Sequence, residues 1–204
     1  SRVKGVYSEI NSLLAGSDDA ELKEKYADVS GQLPIIKELA DILYKNKKNR
    51  GCPELETSES KLIINDEDIC VGVERRTRGR SEEIIEDFML VANECAARFG
   101  MDNNLPFVYR IHEEPSDEKL ESLREALVKL NVQYKLGEKA CPGDMSEILK
   151  AAKGTDIDLI MNNIVLRSMS KARYSTEPVG HFGLALEDYA HFTSPIRRYP
   201  DLTI

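Results

Sequence analysis

No stretch of this 204-residue chain is apolar for long. The longest uninterrupted run, Phe88 to Ala92, falls far short of the roughly 20 residues needed to span a bilayer. The chain does not open on the basic, apolar and small-residue segments of a secretory signal. Cysteine is sparse and scattered: Cys52, Cys70, Cys95 and Cys141 form no Cys-x-x-Cys pair. Zinc would want close ligand pairs, and a secreted disulfide scaffold would carry a denser set. His112, His181 and His191 are equally dispersed, with no His-Glu-x-x-His spacing, so Cys/His metal binding is not expected. Scattered thiols without a signal point to the reducing cytoplasm. An excess of basic residues is also missing: 36 acids against 28 bases give a net charge of −8. That balance argues against a surface that coats nucleic acid, though not against a narrow, locally basic channel.

What is present is a globular composition, 41% hydrophobic and 31% charged, long enough for one large domain or a domain and a half. The apolar stripe Val3, Val6, Ile10, Leu13 and Leu14 predicts a helix over 3–14, ending near Gly16, and residues 19–27 predict a short polar one. Leu33, Ile36, Leu39/Ala40 and Leu43 predict a helix over 33–49, with basic residues in its last turn and Gly51 beyond. A hairpin is expected near 61–75. Ser81 then reads as the N-cap of a helix to about Phe99 whose buried side is Ile84, Ile85, Phe88, Met89, Ala92 and Cys95. A strand near 106–111 and helices over 116–130, 145–153 and 157–169 follow, and from Tyr174 the tail is extended and loop-like. The expected class is α+β, helix-rich, its few strands lying at the edge of an incomplete sheet.

Basic residues cluster at Lys45, Lys47, Lys48 and Arg50, at Arg75, Arg76, Arg78 and Arg80, and at Arg197 and Arg198; the first two clusters read most simply as solvated surface. The third sits in Thr193-Ser194-Pro195-Ile196-Arg197-Arg198-Tyr199-Pro200. There Ser194 can cap and Pro195 suits a first helical position. Free N–H groups at such a start form an anion site, to which Arg197 would add a forked cation matched to phosphate. Pro200 should limit the segment to one turn before a restart. A plain capped helix with two exposed arginines accounts for the same residues.

Five segments decide between these readings: 1–10, Ile85 to Asn93, Tyr109-Arg-Ile-His112, Leu166-Arg-Ser-Met169, and His181 to Leu202. In this order they resemble the RNB exoribonucleases, the family of ribonucleases II and R. The resemblance implies an enzyme that shortens single-stranded RNA hydrolytically and processively from its 3′ end, releasing nucleoside monophosphates with the help of divalent metal, usually magnesium. It implies that 1–204 is part of an RNB catalytic domain cut from a longer chain, without its cold-shock and S1 domains. By similarity Tyr7 matches the tyrosine at the cleavage site, Glu86 the glutamate near the terminal nucleotide and Arg197 the arginine on the scissile phosphate. All three are expected on one open face. Thr193, Ser194 and Arg198 fall among the RNA-binding residues. Leu55 occupies the position of an aromatic that clamps the last base, where it could cover a base but not stack on it. The family's metal-binding aspartates lie N-terminal to this stretch. Asp18-Asp19, Asp66-Glu67-Asp68 and Asp156/Asp158 do not match their pattern, so no metal ligand is assigned here. The alternatives are a non-catalytic RNA-binding or scaffolding relative of the same fold and a helical protein-interaction module. No membrane partner is expected.

Overall fold

The computed structural model describes residues 2–55, 59–76 and 78–204, without the side chains of residues 59–61, 75 and 76. Ser1 and Thr77, and the side chains of Arg75 and Arg76 in the second basic cluster, lie outside the described residues. The chain divides into two compact units, residues 1–43 with 57–88, and residues 44–56 with 89–204.

In the first unit, α1 (Tyr7–Leu14) begins four residues later than its apolar stripe suggests, because Val6 is held extended with φ −119° and ψ 126°. Its N–H donates to the hydroxyl of the fully buried Tyr26, which in turn donates to the Glu9 carboxylate. α1 ends before Gly16, at φ +85°. α2 (Ala20–Lys25) is capped by Asp19, whose carboxylate accepts the N–H groups of Glu21 and Leu22 at 2.9 and 3.2 Å, and α3 (Ala27–Ser30) follows Tyr26.

α4 (Leu33–Asn49) matches its expected bounds and runs from the first unit into the second. Ala40 is buried and Leu33, Ile36 and Leu43 are half-buried, whereas Leu39 is exposed. Strands β1 (Glu59–Ile64) and β2 (Cys70–Arg76) form the antiparallel hairpin, with Leu62 opposite Val73 and Ile63 opposite Gly72. Its turn is closed by Asn65, whose side-chain oxygen accepts the N–H groups of Glu67 and Ile69, with Asp68 left-handed at φ +59°. The expected alternation is present, but Leu62, Ile64, Val71 and Val73 are all exposed.

α5 (Arg80–Asp102) crosses from the first unit into the second. Ser81 is not its cap: it lies inside the first turn and its hydroxyl donates to the carbonyl of Tyr7. The buried stripe is Ser81, Ile84, Asp87, Asn93, Ala97 and Gly100, while Ile85 and Cys95 are exposed. The expected face was rotated because apolar residues alone defined it, and the true face carries polar groups.

The second unit holds β3 (Tyr109–Ile111), α6 (Asp117–Lys129), α7 (Pro142–Ala152), α8 (Asp158–Ser168), β4 (Arg173–Ser175) and α9 (Tyr199–Thr203). Leu120, Leu123 and Leu127 of α6 pack with Met145, Ile148 and Leu149 of α7 and Met161 and Val165 of α8. α7 starts earlier than expected because the Asp144 carboxylate accepts the Cys141 N–H at 2.6 Å and Pro142 opens the first turn. The strand expected at 106–111 is shorter. β3 pairs antiparallel with β4, Arg110 opposite Tyr174, over a small core of Ala97, Phe107, Tyr109, Ile111 and Ala190.

Candidate functional site

Tyr7 and Glu86 belong to the first unit. Asn11 ties α1 to the start of α5: its side-chain oxygen accepts the Ser81 N–H at 2.7 Å and its amide donates to Glu82 at 3.0 Å. Tyr7 lies four residues before Asn11, and Glu86 four residues after Glu82. Pairs at that spacing share a face of their own helix. Tyr7 is 48% exposed, and its hydroxyl makes no hydrogen bond among the described residues. Glu86 pairs with Arg78 at 2.9 Å, both side chains about half exposed. Tyr7 is thus an available hydroxyl, and Glu86 a solvent-facing carboxylate already engaged by a cation.

Leu55, Thr193, Ser194, Arg197 and Arg198 belong to the second unit. Leu55 is partly buried against the α6–α8 core. The segment 192–198 forms a strap tied to the interior of α5 through Asn93. Ser194 does not cap a helix. Its carbonyl accepts the N–H groups of Arg197 and Arg198 at 3.2 and 3.1 Å, closing a single turn, and the helix starts only at Tyr199, with Pro200 in its first turn. The N–H groups of Thr193 and Ser194 are also taken, by Asn93 and Asp201. The expected anion site built on free backbone donors is therefore not formed by these residues, and side chains must do the work.

The two adjacent arginines differ. Arg198 turns inward, its Nε and Nη2 donating to one Asp201 oxygen at 3.1 and 2.7 Å. Its side chain is 17% exposed and that of Asp201 fully buried. Burial pushes the Asp201 carboxyl up, but Arg198 and the Ser194 N–H outweigh it and hold it below the usual carboxylate range. Arg197 is exposed, and its side chain makes no hydrogen bond or ion pair among the described residues. A free, permanently charged fork on a fixed turn is suited to a phosphate.

Behind the strap runs a file of rings in which all three histidines meet. His112 and His181 lie 5.0 Å apart edge to face, His181 and Tyr189 5.2 Å, and Tyr189 and His191 5.8 Å. The Tyr174 hydroxyl and His191 Nδ1 are 2.8 Å apart, and the Arg110 guanidinium lies over the Tyr174 ring. Burial, then neighbouring positive charge, lowers His181 to about 3 and His191 to about 4; burial also lowers His112.

The sequence reading passed over Asn93, Asp201 and this histidine file. The signals were an asparagine four residues before the buried Ala97, and an acid three residues after Arg198. The histidines, dispersed in sequence, carried none. Among the described residues no group of three or more His, Cys, Asp and Glu is placed to hold a metal. The donors present among these residues do not fit the divalent metal implied by the resemblance.

The RNB domain model matches residues 1–204, and the chain belongs to the RNB domain family. It is 41% identical over 202 residues to ribonuclease R 1 of Lactococcus lactis, an alignment covering 97% of this chain and 24% of the relative. The chain thus spans about a quarter of the length of that relative. It superposes on Mycoplasma genitalium RNase R, solved in complex with ribose-methylated single-stranded RNA, with a TM-score of 0.85 and 29% identity, covering 97% of this chain and 30% of that one. Yeast Ssd1, described as a pseudonuclease, shares the fold alone, at a TM-score of 0.68, 18% identity and coverage of 97% and 24%. No helix among the described residues is long and apolar enough to cross a membrane.

Proposed function

We propose that this chain is the C-terminal part of the RNB catalytic domain in a longer, cytoplasmic exoribonuclease that hydrolyses RNA from its 3′ end to nucleoside monophosphates. The observation that carries the reading is the exposed, unpaired Arg197 beside the inward-turned Arg198, in a chain similar along its length to ribonuclease R. Arg197 would donate to the scissile phosphate as charge grows on its oxygens. The Tyr7 hydroxyl would hydrogen-bond that phosphate or the attacking water. Glu86 would accept from a ribose hydroxyl once RNA displaces Arg78. Leu55 would cover one face of the terminal base, and the half-buried Ser194 would line the RNA path, whereas the Thr193 hydroxyl is itself buried. Magnesium, bound by residues outside this chain, would supply the activated water.

The test is a full-length protein containing this chain, incubated with uniformly labelled single-stranded RNA and magnesium. Nucleoside monophosphates should appear, and Arg197→Ala should lower single-turnover cleavage by about 10²–10³-fold while changing RNA affinity little. Tight RNA binding without monophosphate release would replace this reading with that of a non-catalytic relative.

A further inference from the structure

Two buried polar side chains hold the strap from opposite sides. Asn93, on α5, accepts the N–H groups of Phe192 and Thr193 on its side-chain oxygen at 2.9 and 3.2 Å, and its amide donates to the Tyr189 hydroxyl at 3.0 Å. Asp201, in the single turn of α9, accepts the Ser194 N–H at 2.8 Å on the same oxygen that takes both Arg198 donors. Three consecutive backbone donors, 192 to 194, are thus fixed by two side-chain oxygens, and the following Pro195 has no donor to offer.

The second Asp201 oxygen is buried and has no partner among the described residues. A buried carboxylate with a bare oxygen attracts any cation within reach, and Arg197 stands next to Arg198 in the chain. Arg198 already neutralises Asp201, which leaves Arg197 pointing away.

We propose that Asn93 and Asp201 are positioning residues that fix the 192–198 strap and, by drawing Arg198 inward, present Arg197 alone to the scissile phosphate. Arg198 then serves as the counter-ion of Asp201 rather than as an RNA contact. The proposal rests on the exoribonuclease reading above. Its physical basis is that a reacting-centre donor displaced by about 1 Å can cost on the order of 10²-fold in rate, even when the change lies away from the chemistry.

The experiment uses the full-length enzyme and measures single-turnover cleavage and the RNA dissociation constant for each variant. Asp201→Asn keeps the volume and one acceptor for the Ser194 N–H, but it replaces a charge-assisted pair with a neutral contact and frees Arg198. Cleavage should fall about tenfold, with the dissociation constant within about twofold of the original. Asn93→Ala, which frees two backbone donors, should behave alike. The distinguishing variant is Arg197→Ala combined with Asp201→Asn. If Asp201 acts only through Arg197, the double variant should cleave no more slowly than Arg197→Ala, within about twofold. A merely structural role would multiply the two losses and weaken RNA binding as well. Arg198→Gln breaks the same pair from its partly exposed side, so it carries the same expectation should Asp201→Asn fail to fold. Original cleavage rates in Asp201→Asn or Arg198→Gln, or multiplied losses in the double variant, overturn the proposal while leaving the Arg197 role standing. An unmodified enzyme that releases no monophosphates sinks both.

Discussion

Acid should loosen the second unit well before its carboxylates titrate, and the histidine file sets the size of the effect. His181 titrates near 6.5 in an unfolded chain and at about 3 in the folded one. A histidine lowered on folding stays neutral while native and takes its proton only on unfolding. Its contribution is therefore complete above the unfolded value, and stability falls as pH drops below about 6.5, by up to about 1.4 kcal/mol per pH unit. Between pH 7 and pH 5 this amounts to about 2 kcal/mol for His181. His191, lowered to about 4 but nearer solvent, adds about 1 kcal/mol once screening is discounted. Charges around the file work in the same direction: Arg110 acts on all three rings, Lys119 on His112, and Arg197 and Arg198 on His191, with Asp201 alone opposing. The total of about 3 kcal/mol is a large share of a typical domain's 5–15 kcal/mol. Carboxylates lowered on folding, such as Asp201, Asp144 and Glu82, lose their contribution only as pH falls below about 4, so the chosen window isolates the histidines. Urea titrations of this chain at pH 7 and pH 5, followed by near-ultraviolet circular dichroism of the tyrosines, should show the midpoint falling by about 1–2 M. His181→Gln should remove more than half of that fall. Equal midpoints at the two pH values, or an unchanged fall in His181→Gln, would refute the argument that these rings are held neutral by burial.

Two further outcomes follow from packing. Gly51 has φ +77°, and a Cβ there would lie 2.8 Å from the Gly143 Cα, so Gly51→Ala should lose about 2 kcal/mol or more in a thermal melt. Gly31→Ala, with nothing within 4 Å and an ordinary helical backbone, should stay within about 0.5 kcal/mol of the parent. Tyr134→Phe removes the hydroxyl that donates to Asp144 and is pushed up to about 12 by that bond. It should cost about 1–2 kcal/mol, read in the same melts.

Local signals carried much of the fold. For α4 the apolar period, the lysines of the last turn and Gly51 all agreed, and its bounds came out as expected. Errors fell where a distant group decided a local question. Val3 and Val6 continue the stripe of α1, but the Tyr26 hydroxyl, twenty residues away, takes the Val6 N–H and keeps that residue extended. Ser81 has the look of a cap, but its hydroxyl is claimed by the Tyr7 carbonyl, 74 positions away in the chain. The buried face of α5 was misjudged because Asp87 and Asn93 lie on it; a hydrophobic pattern cannot register a polar side chain that a remote backbone satisfies.

The strap shows the same limit at the point where it bears on chemistry. Read locally, Ser194-Pro195 opens a helix and leaves its first N–H groups to an anion, while Arg197 and Arg198 stand side by side on one turn. The structure changes the first inference and separates the two arginines with a single carboxylate seven residues beyond Ser194: Asp201 consumes the Ser194 donor and one of the two guanidinium groups. A phosphate arriving here would meet one free arginine rather than a cradle of backbone dipoles. Discrimination between the adjacent arginines is therefore a property of the buried acid, not of the arginines themselves. Restoring the pair with reversed charge, Arg198→Asp together with Asp201→Arg, tests this directly in thermal melts of the chain. The buried position would then hold a guanidinium too large for its space, with a short acid beside it. This swap should be less stable than Asp201→Asn alone, because a buried cation without its donors satisfied costs more than a neutral amide of the original size. A swapped chain as stable as the parent would mean that Asp201 is held by its charge alone, and that the particular geometry of the Ser194 and Arg198 hydrogen bonds does not matter.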